Sequence, residues 1–497
     1  MSIVIKPMHE GIFLNILFIT PEAIPFAKTG GLGDVGGLLP LALARSEKVC
    51  LFMPDYMTES IKKIGAIQID SISLRLGGVS YEAVIKKAVI THDFTVFFVA
   101  NEHFFGRKSL YGDEHGDYPD NFIRFLFFQL VILEFIVNNR LQFDIIHCND
   151  WQTAMIPLFM RLGSHARFFK SSKAVFSIHN LGYQGVFNAE HFKETGLPDY
   201  LFSPEYLEFF GKLNCLKAGI IFSDWILTVS PTYAKEILLA ENGFGLAGLL
   251  NKFSHKLSGI LNGVDYSQWD PRVDPHIYSQ YSPAQLDNKI LNKQRMFAEL
   301  GIKKNSRVPL FVLISRISEQ KGMDLLLKLL PVLLKQDVHF ILLGVGDGFY
   351  TRGIEKMAER FAEKMTFLNF FDEKKAHQLE AAGDILFMPS NYEPCGLNQI
   401  FSLKYGTVPI VRATGGLEDS VQGFDPVTGR GTGFKFQGNG IEAAMEVVAQ
   451  ALDMYKNRDL WRQIQQNGMG MDFSWEKVVP NYLALYNKIR LEVPQNG

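Results

Sequence analysis

Six short segments carry the residue types needed to hold a charged, hydroxylated ligand. Lys28-Thr29-Gly30-Gly31-Leu32-Gly33-Asp34-Val35-Gly36-Gly37 joins a lysine to a run of glycines. Glycines let backbone N–H groups approach a phosphate closely, and a following helix N-terminus adds positive potential. The lysine precedes the glycines, so this is not a Walker loop; a glycine-rich turn without a ligand is the competing reading. Ser315-Arg316-Ile317-Ser318-Glu319-Gln320-Lys321-Gly322 places two permanent cations five residues apart. Such a pair can grip a diphosphate or stand as two solvated surface charges. Pro389-Ser390-Asn391-Tyr392-Glu393-Pro394-Cys395-Gly396-Leu397-Asn398-Gln399 sets a carboxylate before small residues that open a helix. Glu393 can accept sugar hydroxyls there and the amides can meet phosphate, or the acid can be incidental to a helix entry.

Three further segments are weaker alone. In His147-Cys148-Asn149-Asp150-Trp151 an acid sits beside an indole, a pairing suited to sugar hydroxyls and pyranose faces. Asp150 is equally placed to cap the next helix. Ser177-Ile178-His179-Asn180-Leu181-Gly182-Tyr183-Gln184-Gly185 offers a histidine just past a strand, and Leu261-Asn262-Gly263-Val264-Asp265 is a turn signal first and a ligand site second. Thr414-Gly415-Gly416-Leu417 is another glycine turn.

The elements that must position these residues are legible as short apolar runs. In the first half they cover 16–20, 49–53, 96–99, 145–148, 175–178, 226–229 and 259–261; in the second, 310–314, 339–343, 366–369, 385–388 and 408–411. Apolar throughout rather than alternating, and separated by helical lengths, they predict strands buried on both faces of parallel sheets. The pattern runs twice, so two doubly wound α/β domains are expected, with a break near Asp265–Pro275. Ligands in such sheets bind beyond the carboxyl ends of the strands, which is where the polar motifs fall.

Bulk composition narrows the partners. A chain of 497 residues is too long for one core. Net charge is −2, which gives no electrostatic footprint for nucleic acid or anionic membrane; a neutral polymer or small ligand fits better. Cys50, Cys148, Cys215 and Cys395 are scattered without metal-ligand spacing, which points to buried thiols in a reducing, cytoplasmic setting. The N-terminus shows no export signal. Phe122 to Val137 is very rich in Phe, Leu and Ile, but Arg124, Gln129 and Glu134 interrupt it, so a buried core helix is expected. Asp113, Glu114, His115 and Asp117 share one polar loop without a strand framework, which argues against a metal site.

In their order, these motifs closely resemble those of bacterial glycogen synthases and plant starch synthases, retaining glycosyltransferases of the GT-B class. The resemblance runs from about Leu14 to Leu485. Lys-Thr-Gly-Gly-Leu at 28–32 together with Glu-Pro-Cys-Gly-Leu at 393–397 is its most specific pair. It implies two Rossmann-like domains facing a central cleft. The first spans 1–265, with 474–497 crossing back onto it, and the second, which binds nucleotide sugar, spans 266–473. It also implies transfer of glucose from ADP-glucose, or UDP-glucose, to the 4-hydroxyl of an α-1,4-glucan primer in glycogen biosynthesis. By the same resemblance His179, Arg316, Lys321 and Glu393 are catalytic. Lys28, Gly30, Gly31, Asp34, Asn262, Phe371, Cys395, Gly396 and Leu397 bind the donor, while Asp150 and Trp151 line the acceptor side. Phe371 falls where the family usually has a tyrosine stacked on adenine.

The leaving diphosphate would be stabilised by Arg316, Lys321 and helix amides, so neither metal nor cofactor is expected. Three positions depart from the family pattern: Asn149 for the second histidine of the usual His-x-His-Asp-Trp, Gln152 for a histidine, and Ala247 for a glutamate. They bear on acceptor choice and rate. The competing readings are another retaining GT-B enzyme, such as a sucrose- or trehalose-forming one, and a glucan-binding protein without activity.

Overall fold

The computed structural model describes residues 13–491. The expectations for the export signal and for the chain ends at 1–12 and 492–497 lie outside the described residues.

Contacts divide the chain into two compact units. The first takes the described residues up to Thr228, Ile237–Ile260 and those from Val478 on; the second takes Val229–Glu236 and Leu261–Lys477. The chain thus changes unit after Ile260, not after Asp265. The reason is packing: Val264 belongs to a cluster with Ile400, Phe401 and Phe473, and its N–H donates to the Phe473 carbonyl at 2.9 Å. The short stretch 229–236 joins the second unit because Thr232 Oγ1 donates to Asp419 at 2.6 Å and Glu236 accepts from the Gly415 N–H at 3.0 Å. The last helix, Trp475–Leu491, begins against Gly263 and ends in the first unit. There the Tyr486 hydroxyl meets His147 Nδ1 at 2.6 Å, and the Lys488 ammonium lies 4.1 Å from the Trp225 ring centre.

The first unit is built on a nine-stranded sheet. Its parallel strands run Leu257–Gly259, Trp225–Thr228, Lys173–Ile178, Ile145–Asn149, Asn15–Ile19, Lys48–Pro54 and Phe94–Ala100; six lie on the predicted apolar runs, and Leu257–Gly259 meets the predicted 259–261 only at Gly259. Val79–Thr91 and Ile67–Leu76 then extend the sheet antiparallel. These two strands are half-exposed and interspersed with polar residues, so a search for unbroken apolar runs passes over them. The helix Asn121–Asn138 is long and apolar enough to cross a membrane by length and composition, yet 72% of it is buried inside the protein. Its Arg124 is satisfied internally, Nε donating to the Phe104 carbonyl at 2.8 Å and Nη1 to Asn121 at 2.6 Å. It is a core helix.

The second unit has a six-stranded, all-parallel sheet in the order Met365–Leu368, His339–Leu343, Leu310–Ile314, Ile385–Met388, Val408–Arg412, Phe434–Phe436. Numbered along the chain, that order is 3-2-1-4-5-6, the dinucleotide-binding arrangement. The parallel strands of the first unit follow the same scheme with a seventh strand added. Each sheet therefore has one point where the winding reverses, and neighbouring crossovers leave on opposite faces there. In the first unit it lies between Asn15–Ile19 and Ile145–Asn149, in the second between Leu310–Ile314 and Ile385–Met388. Cys148, Cys215 and Cys395 are buried and Cys50 is half-buried; all four are free thiols, and burial pushes Cys50 up to about 11 and Cys395 up to about 12.

Candidate active site

In the second unit the two loops at the reversal point are laced together. The Asn391 N–H donates to the Gln320 carbonyl at 2.8 Å, and Asn391 Nδ2 donates to the Glu319 carbonyl at 2.7 Å. Gly322, at φ 72, lies so close that a Cβ there would stand 2.0 Å from the Pro389 carbonyl oxygen. This lacing brings Lys321 and Glu393 into an ion pair of 2.6 Å, and Ser390 Oγ donates to the same Glu393 oxygen at 3.0 Å. Glu393 is only 4% exposed. The two residues named separately from sequence are therefore one unit of charge, held at the carboxyl edge of the sheet. Arg316, on the same loop, is exposed.

Behind this pair the chain after Glu393 packs backbone to backbone with the Thr414 turn. Added Cβ atoms at Gly415 and Gly416 would sit 2.0 Å from the carbonyl oxygens of Glu393 and Cys395, so these glycines serve close approach. Gly396 has φ 71, and the helix Asn398–Tyr405 starts two residues later with no side-chain cap at Leu397. Its first amides face no capping side chain, the arrangement that receives an anion. The Asn262 backbone bonds the Cys395 thiol, while the buried Asn262 Oδ1 has no partner. Phe371 stands apart, beyond the edge strand Met365–Leu368, with its ring 83% exposed.

In the first unit the glycine-rich segment differs from expectation. The helix begins at Gly31 and runs to Leu43, so most of the predicted loop is helix. Poor glycine propensity is overridden by close approach: Cβ atoms at Gly36 and Gly37 would lie 2.0 Å and 2.3 Å from the carbonyl oxygens of Glu22 and Ile24. Lys28 Nζ pairs with Asp34 at 2.7 Å, partly exposed. The amides of Thr29 and Gly30 donate to the buried Glu22 carboxylate at 2.5 Å and 3.3 Å, and the Thr29 and Tyr111 hydroxyls donate to its other oxygen, both at 2.7 Å. Glu22 organises the whole Lys28 loop and was not singled out from sequence. Its one signal was position, three residues past the strand Asn15–Ile19.

Across the reversal point, Asp150 does not cap the next helix. Its carboxylate accepts from the His179 N–H at 2.7 Å, tying the ends of Ile145–Asn149 and Lys173–Ile178 together. Burial, and then the neighbouring Glu22 carboxylate, push Asp150 up to about 7. His179 Nε2 meets Asn149 Oδ1 at 2.9 Å, while Asn149 Nδ2 donates to the Ile19 carbonyl at 2.9 Å. That donation leaves Asn149 Oδ1 as acceptor, so the His179 proton sits on Nε2. Burial pushes His179 down to about 3. The departure at Asn149 thus lies directly on His179. The Trp151 ring is packed by Phe125 and Phe187 at 5.1 Å and 5.3 Å and overlaid by the Gly185 backbone. Gln152 is buried with its Oε1 unpartnered. Among the described residues no cluster of His, Cys, Asp and Glu is arranged to hold a metal ion.

Comparison with known proteins places this geometry in a family. Residues 15–252 match the starch synthase catalytic domain family, and residues 292–468 match glycosyl transferases group 1. Glycogen synthase 2 of Geobacter sulfurreducens is 40% identical over 476 residues, covering 95% of this chain and 98% of that one. The catalytic domain of starch synthase IV from Arabidopsis thaliana, solved bound to ADP and acarbose, superposes with a TM-score of 0.87 at 32% identity, covering 97% of this chain and 100% of the other. Sucrose-phosphate synthase from Thermosynechococcus elongatus reaches a TM-score of 0.60 at 16% identity, covering 96% and 99%; that likeness is one of fold. The two α/β units with their parallel sheets have the fold of a GT-B glycosyltransferase, and the chain belongs to the glycogen synthase and starch synthase family.

Proposed function

We propose that the protein transfers glucose from ADP-glucose to the non-reducing 4-hydroxyl of an α-1,4-glucan, retaining configuration, in glycogen biosynthesis. The observation that carries this reading is the Lys321–Glu393 pair, 2.6 Å apart at the reversal point of the second sheet. ADP as the donor nucleotide is supported by the starch synthase IV relative, which was solved with ADP.

In this reading the bond between glucose C1 and the diphosphate breaks, its electron pair leaving with the phosphate oxygen. Lys321, Arg316 and the amides from Cys395 to Leu397 stabilise that growing charge. Glu393, already holding Lys321, accepts sugar hydroxyls and sets the height of the ammonium above the leaving group. Asn262 offers its unpartnered Oδ1 to a donor hydroxyl, and Phe371 its exposed ring to the adenine. Lys28, Gly30, Gly31 and Asp34 are assigned to the donor, and Asp150 and Trp151 to the acceptor, by the family resemblance. His179 presents its backbone carbonyl to the positive charge developing at C1. The acceptor 4-oxygen bonds to C1 on the departing face, and its proton passes to the leaving phosphate. No metal or cofactor is assigned a step.

A donor panel of ADP- and UDP-glucose with glycogen primer, with and without EDTA, tests the reading through nucleotide release. Activity should follow ADP-glucose and survive EDTA. Lys321→Ala should cut kcat by roughly 10²- to 10³-fold with a smaller effect on donor KM. Unchanged turnover removes the leaving-group role.

A further inference from the structure

Two six-residue helices of the second unit break the same local rule. Pro231–Glu236 ends on Glu236, and Gly415–Ser420 carries Asp419 in its last turn. A carboxylate there meets the negative end of the backbone dipole, and helices this short are marginal on propensity alone. Each acid is instead committed to the other helix. Glu236 Oε1 accepts from the Gly415 N–H at 3.0 Å, and the Thr414 hydroxyl donates to the same carboxylate at 3.1 Å. Asp419 accepts from the Thr232 N–H at 2.9 Å and from the Thr232 hydroxyl at 2.6 Å. The helices thus cap each other's N-termini, which requires them to run in opposite directions.

This exchange completes the first turn of both. In Pro231–Glu236, Pro231 has no N–H, Thr232 donates to Asp419 and Tyr233 donates to Ser230 Oγ at 3.0 Å. In Gly415–Ser420, Gly415 donates to Glu236, and the next amide, Gly416, donates to the Glu393 carbonyl at 3.0 Å. Thr414 supplies no side-chain cap of its own. At the other end of this helix Ser420 Oγ accepts from Gln399 Nε2 at 3.0 Å, and the same Nε2 donates to the Cys395 carbonyl at 3.0 Å. The helix that Glu236 caps therefore holds the Glu393 backbone at its start and, through Gln399, the Cys395 backbone at its end.

We propose that Glu236 is a positioning residue for glucosyl transfer: clasped with Asp419, it locks Gly415–Ser420, and that helix sets the backbone from Glu393 to Cys395 so that Glu393 meets Lys321. This rests on the reading that the Lys321–Glu393 pair serves transfer from a nucleotide sugar. The bonds to Glu236 and to Glu393 lie on consecutive amides, Gly415 and Gly416, so a displacement of one reaches the other with a single peptide between them. Misplacement of a fraction of an ångström is enough to slow a reaction that depends on alignment.

Glu236→Ala should lower kcat per folded enzyme by about tenfold while donor KM changes less than about threefold, the folded fraction being read from thermal unfolding at the assay temperature. Glu236→Gln, which keeps an acceptor for the Gly415 N–H, should recover most of the rate. Introduced into Lys321→Ala enzyme, Glu236→Ala should cost less than about threefold more, because the ammonium to be aligned is gone. An undiminished tenfold loss in that background overturns the proposal. So does an unchanged kcat in Glu236→Ala, or one that falls only with the folded fraction. If Glu236→Ala does not fold, Thr232→Val opens the clasp from the other side by removing the hydroxyl bond to Asp419, and the same cycle with Lys321→Ala decides. Unsubstituted enzyme that transfers glucose to maltotriose from neither ADP- nor UDP-glucose fails the parent reading and takes this one with it. Normal transfer with unaltered Glu236→Ala kinetics fails the clasp alone.

Discussion

Asp150 holds φ 54, a conformation that non-glycine side chains avoid, and it is buried. The His179 and Asn180 backbone N–H groups favour its charge, while burial and Glu22 oppose it more strongly. A carboxyl raised from 3.8 to about 7 in the folded state binds its proton there when the unfolded chain has already lost it. Stability from this residue is therefore present at low pH and is lost as pH rises from about 4 to about 7. Asp150→Asn keeps an acceptor for His179 and removes the titration. Its thermal midpoint should exceed that of the unsubstituted protein at pH 8, by roughly 1–3 kcal/mol of stability, with the difference shrinking toward pH 5. A gap that does not change with pH would contradict the burial argument. His147 and His179, both pushed down to about 3 from 6.5, act in the opposite sense. Each is neutral when folded and charged when unfolded between those values, so stability falls as pH drops through that window. Most of these residues were visible in the motifs. Their bonds were not: no spacing rule shows that Asn149 fixes the His179 proton, or that Glu22 collects four donors from two separate segments.

At the scale of elements, the apolar runs located the parallel strands because burial on both faces leaves an unbroken signal; the exception is Phe434–Phe436, three residues long with a lysine at its centre. The antiparallel pair Ile67–Leu76 and Val79–Thr91 escaped because its half-exposed surface carries polar residues. The three-stranded sheet of Val186–Asn188, Lys212–Asn214 and Glu208–Phe209 escaped because its strands are two or three residues long. The glycines of 31–37 read as loop but lie in a helix, since helix propensity yields to contact with a neighbouring carbonyl. Gly322 shows the same economy at the Lys321 loop. Gly322→Ala places a Cβ at φ 72 and 2.0 Å from the Pro389 oxygen, which should cost at least about 2 kcal/mol. Denaturant unfolding should show the loss, and kcat should fall with it as the two loops part and Lys321 loses its seat on Glu393. A variant of native stability and activity would mean that the lacing does not position the pair.

For the whole molecule, two units with separate cores predict two unfolding transitions, and a lesion in one should move only one of them. Tyr486→Phe provides the lesion. It leaves His147 Nδ1 buried without its hydroxyl partner, at a cost of about 1–3 kcal/mol. Calorimetry should show the first unit's transition lowered and the second's unmoved; a single transition shifted as one would indicate that the units unfold together. The sequence alone determined the two α/β repeats and the place along the chain of their parallel strands other than Phe434–Phe436, because hydrophobic periodicity is a local property. Tertiary structure decided which loops meet. Parallel strands adjacent in a sheet lie tens of residues apart in the chain, so the reversal points that join Lys321 to Glu393, and Asp150 to His179, exist only once the sheets have closed.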